Sequence, residues 1–183
     1  IGGAERVHLD ILNIFNKNQT VCFITNSSMN NYFYEEFKSK TKIIEIEELS
    51  IKYRKKLLDN IITKINKNNN SIVFGCNSHL FYDIIPKLDE TVSIIDLIHA
   101  FSYEEPYAAE KYSLPYVNRI NKRVVLGKKT LSDFKKLYIE NSIELENLEK
   151  IKIIKNKVDV PKIFSLKPNN ENLKILFVGR NSS

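Results

Sequence analysis

Residues 71–98 read SIVFGCNSHLFYDIIPKLDETVSIIDLI, and this stretch decides the fold. Ser71 to Cys76 is a short, continuous apolar run, as is Val92 to Ile98. Neither alternates with polar residues, so each reads as a strand covered on both faces. Between them Ser78 to Ile85 reads as a short helix, which Pro86 stops. Strand, helix and strand in one direction make the unit of a parallel sheet.

The same grammar extends both ways. Toward the N-terminus, Val7, Ile11, Ile14 and Phe15 predict an amphipathic helix over 5–17, opened by Gly2-Gly3. A strand over 21–25, a helix over 28–38 behind Ser27 and a strand over 43–46 follow. Ser50 opens a longer helix with Leu58, Ile61, Ile62 and Ile65 as its buried stripe, and Lys52, Arg54, Lys55 and Lys56 elsewhere. Toward the C-terminus, residues 99–117 are rich in aromatic and small side chains and hold two prolines, which predicts an irregular connection with one or two helical turns. A strand over 123–126 follows. Then come a helix over 128–140, with Leu131, Phe134, Lys135 and Tyr138 in near-helical spacing, and a strand over 151–154. The fold class expected is α/β: a doubly wound, Rossmann-like parallel sheet with helices on both faces.

The chain has 183 residues, 43% of them hydrophobic and 27% charged, with five Gly and five Pro. That composition excludes collagen-like, mucin-like and disordered classes. No apolar run reaches the roughly 18 residues a spanning helix needs. Cys22 and Cys76 sit inside apolar strands, so a disulfide framework is not expected and a reducing cytoplasm fits. The net charge of +6 favours either a merely solvated basic surface or an anion-facing patch.

The residues with chemistry in them are few. Gly2-Gly3-Ala4-Glu5-Arg6 places glycines at a helix start, where free N–H groups favour an anion, but it matches neither a nicotinamide fingerprint nor a P-loop. His99 follows a strand at its carboxyl end, where open parallel sheets bind ligands; it suits a phosphate or sugar hydroxyl, or a structural bond to a carbonyl. His8 and His79 read as surface or packing residues. Phe101, Tyr103, Tyr107, Tyr112 and Tyr116 could stack on sugars or bases, with Arg119, Lys122 and Arg123 nearby for phosphates, or could pack their own loop. Arg180, after an apolar strand and Gly179, has the place of a phosphate-binding arginine. Without a D-x-D or another ligand motif, no metal is expected.

Four pieces in order, Ile1-Gly2-Gly3-Ala4-Glu5-Arg6, the strand ending at His99, Ile154-Lys155-Asn156-Lys157-Val158-Asp159, and Ile175-Leu176-Phe177-Val178-Gly179-Arg180, resemble the family-4 (group 1) retaining glycosyltransferases of the GT-B fold. Lys157 stands where that family usually has glycine. The resemblance implies two Rossmann-like domains around a cleft. Residues 1–158 would be the N-terminal, acceptor-side domain lacking its first strand, 159–172 the interdomain linker, and 173–183 the first strand of the domain that binds the nucleotide-sugar donor. Both ends are then expected to be cut, with Lys174 to Val178 able to occupy the vacant central strand position. The resemblance further implies that His99 contacts the transferred sugar, and that Gly2, Gly3 and Arg180 meet the donor diphosphate. It also implies a glycan or lipid-linked acceptor in polysaccharide biosynthesis, no cofactor beyond the donor, no nucleic acid, and a cytoplasmic place with peripheral membrane contact through Lys52, Arg54, Lys55 and Lys56. The fragment alone would be inactive. The reading set against it is a non-catalytic α/β module for an anionic partner such as nucleic acid.

Overall fold

The computed structural model describes residues 3–25, 32–46, 49–68 and 70–157. Strand and helix alternate throughout: α1 (Gly3–Leu12), β1 (Val21–Ile24), α2 (Tyr34–Lys40), β2 (Lys42–Glu45), α3 (Ile51–Asn66), β3 (Ile72–Cys76), α4 (His79–Ile84), β4 (Ser93–Ile98), α5 (Ala109–Tyr112), β5 (Lys122–Val125), α6 (Lys128–Glu140) and β6 (Ile151–Ile153). Every strand pair is parallel. The fold is α/β and Rossmann-like, with parallel sheets flanked by helices.

Among the described residues the strands form two sheets, β1-β2 and β3-β4-β5-β6. The division falls between β1 and β3; just past their carboxyl ends Thr25 Oγ1 lies 3.2 Å from Ser78 Oγ. That is where a doubly wound sheet holds the strand leading into α1. Residues 174–178, expected as a candidate for that position, lie outside the described residues, as do Ser27, the linker and the start of the second domain.

Burial explains why the sequence gives this sheet. Ile94, Asp96, Leu97 and Ile98 of β4 are all buried, so this strand is covered on both faces; at β6 only Ile151 is buried, as befits an edge. The core gathers around β4: Ile94 and Ile98, Val125 of β5, Phe81 and Tyr82 of α4, and Phe134, Leu137 and Tyr138 of α6. α4 starts at His79 rather than Ser78, which caps it, its Oγ accepting from the Phe81 amide at 3.4 Å. Gly75 is required by packing, because a Cβ there would overlap the Phe81 ring.

Three expected helix faces differ. α1 stops at Leu12, so Ile14 (78% exposed) and Phe15 fall off its stripe and Leu9 becomes the buried residue. In α3 Arg54 lies half-buried one turn before Leu58, on the inward stripe, while Lys52, Lys55 and Lys56 are exposed. The spacing 54, 58, 61, 62, 65 is that of one helix face, and the long guanidinium stem can cover apolar surface. In α6 Leu137 rather than Lys135 joins Phe134 and Tyr138, since burying an ammonium without a partner is costly.

Candidate functional site: a cleft at the strand ends

The carboxyl ends of β3 and β4 open into a cavity of ≈ 520 Å³. Cys76, Leu97 and Ile98 form its floor, and His99, the residue after β4, stands in its wall. Glu5, in the first turn of α1, lines the other side. The crevice beyond the carboxyl ends of parallel strands is where such sheets bind ligands. Gly3 is the first residue of α1, two before Glu5; Gly2 and Arg180 lie outside the described residues. The fold thus brings the helix that Gly3 begins and His99 to one cavity, though 94 positions separate Glu5 from His99 (99 − 5).

His99 has one polar neighbour of note. Asn156, in the segment leaving β6, places Nδ2 3.3 Å from His99 Nε2. β5 lies between β4 and β6, so this segment crosses the top of a strand to reach the imidazole. Ile154 N–H still donates to Val125 O at 2.9 Å, which fixes where the crossing starts.

The loop after His99 is held by side chains. Buried Glu110 accepts a hydrogen bond from the Ser102 amide. His79 Nε2 lies 2.9 Å from Tyr107 O, and its ring stacks on Tyr112 at 4.2 Å. Phe101 packs edge-on against Phe134 at 5.1 Å, and Tyr116 stacks with Tyr82. Most of the aromatic stretch therefore packs its own loop, whereas Tyr107 remains exposed beside the cavity.

Of the three cations expected to serve phosphates, the two arginines are otherwise engaged, while Lys122 is exposed. Arg123 is 2% exposed; its Nε donates to Asp96 Oδ2 at 2.8 Å, and its other nitrogens donate to Tyr138 Oη and Ser113 Oγ. Arg119 donates to the carbonyls of Val92 and Asp89. Charge spacing alone could not reveal this, because the pairing of β4 with β5 decides which way Arg123 faces, and Arg119 reaches its carbonyls from the turn before β5.

The cavity wall carries Glu5, Glu105 and Glu110, and no lysine or arginine among the described residues. The cleft is therefore acidic within a chain of net charge +6. Burial, with the carboxylates of Asp96 and Glu5, pushes the Cys76 thiol up to about 12, so it stays protonated at neutral pH. Asn77, beside it, adopts φ 48°, a left-handed conformation that asparagine tolerates better than most residues. Glu5, Asn77, Ser102, Glu105 and Tyr107 are thus polar or aromatic groups aimed at one space; the sequence signal for Asn77 was its place just past a strand end. No group of three or more His, Cys, Asp or Glu that could hold a metal occurs among the described residues. No described helix is long and apolar enough to cross a membrane.

No family model, curated protein or solved structure matches the chain.

Proposed function

We propose that this chain is the acceptor-side domain of a retaining glycosyltransferase, moving a sugar from a nucleotide-sugar donor to a glycan or lipid-linked acceptor in polysaccharide biosynthesis. One observation carries the reading: α1, begun by Gly3, and His99 border the same cavity at the carboxyl ends of parallel strands. The cavity's ≈ 520 Å³ falls in the range of small-molecule sites. Its acidic, hydroxyl-bearing wall suits the hydroxyls of a saccharide better than a diphosphate. On this reading the charge that grows on the departing diphosphate is met by the N–H groups at the start of α1 and by Arg180. His99 and the wall contact the sugar.

The test is a titration of the ¹⁵N-labelled chain with neutral oligosaccharides and, separately, with nucleotide sugars. Saccharide-dependent shifts at Glu5, His99 and Tyr107, with none at α6, are the expected result. Salt-dependent retention of an oligonucleotide, with no response to any saccharide, would instead favour the binding-module reading.

A further inference from the structure

We propose that Asn156 is the positioning residue of His99: it fixes which ring nitrogen carries the proton, and hence which kind of ligand atom the cleft accepts. The proposal rests on the glycosyltransferase reading only for the identity of the ligand. Asn156 Nδ2 is a donor without acceptor capacity, so at 3.3 Å from His99 Nε2 it requires a lone pair there. A neutral imidazole has one N–H, which this contact assigns to Nδ1. The polar group His99 has left to offer is then a donor, and its partner is an oxygen acceptor. On the glycosyltransferase reading that partner is an uncharged saccharide hydroxyl, which the wall of Glu5, Glu105 and Glu110 suits.

The geometry ties two distant stretches to one task. Asn156 lies 57 positions beyond His99 and reaches it only because the segment after β6 crosses the end of β5. His99 is half-buried and Asn156 exposed, so Asn156 can be changed without opening the core.

Long-range ¹H–¹⁵N correlation of the histidine-labelled chain, at a pH where imidazole is neutral, reads the tautomer directly. His99 is expected to carry its proton on Nδ1. Asn156→Ala removes the donor and shifts the ratio toward Nε2–H by roughly fivefold, the effect of one net hydrogen bond. Asn156→Asp supplies only an acceptor and is expected to move the proton to Nε2. A wild-type ring protonated on Nε2, or a ratio that neither variant changes, overturns the proposal. Melting curves for both variants confirm that the fold is intact. If the tautomer behaves as stated while no saccharide perturbs the ring, the glycosyltransferase reading fails and the role of Asn156 stands.

Discussion

Asp96 and Arg123 are register partners across β4 and β5, and their side chains meet at 2.8 Å with 0% and 2% of their surface exposed. Burial pushes the Asp96 carboxyl up from its ordinary value, against the opposing pull of Arg123 and of the Tyr82 hydroxyl, which donates at 2.9 Å. The guanidinium also lies 4.6 Å over the Phe134 ring. Removing one member leaves a buried charge without its partner. Arg123→Met is expected to cost about 3–5 kcal/mol, a fall in Tm of roughly 10 °C. Combining it with Asp96→Leu should recover much of the loss; melting of the four proteins of that cycle checks this.

Gly75→Ala sets a Cβ into the Phe81 ring, which is held among the buried residues of α4. A destabilisation of about 1–3 kcal/mol is expected from overpacking. Adding Phe81→Leu should relieve part of it, as read from urea denaturation.

Cys76 should be nearly inert. Raising its thiol from 9.0 to about 12 leaves on the order of a thousandfold less thiolate at neutral pH. Alkylation followed by mass spectrometry should show Cys76 far slower than a free cysteine, and the rate should climb with pH up to about 12. The folded state holds this proton more tightly than the unfolded chain, so the contribution of Cys76 to stability declines as pH rises from 9.0 toward about 12. Rapid labelling at pH 7 would contradict this.

The two-stranded sheet should be the weaker part of the molecule. Val21 is about half exposed, and among the described residues β1 pairs with β2 alone. Amides of β1 are expected to exchange with solvent at least tenfold faster than those of β4, whose neighbours lie on both sides. Equal protection would show that the open edge of β1 is covered.

If the proposed function holds, His99→Ala in a chain carrying the donor-binding domain is expected to lower kcat by about 10²-fold or more, the scale of one transition-state contact. A change below about threefold would leave His99 as a structural residue.

The apolar runs at 71–76, 92–98 and 123–126 were enough to specify parallel strands, because continuous hydrophobic segments need cover on both faces. The bounds of the helix over 128–140 were legible to the residue, though its buried face takes Leu137 in place of Lys135. His99 could be placed at a strand end by the same pattern. Tertiary structure alone decided the rest. Arg123 was read as a cation for phosphate, and only the pairing of β4 with β5 shows it facing Asp96 in the core. The acidity of the cleft arises from residues 5, 105 and 110, which composition averages into a basic chain. Asn156 meets His99 because a segment crosses a strand between them, and no local pattern encodes such a crossing. Period and polarity are properties of neighbours along the chain, whereas register, convergence and local charge depend on distances through space.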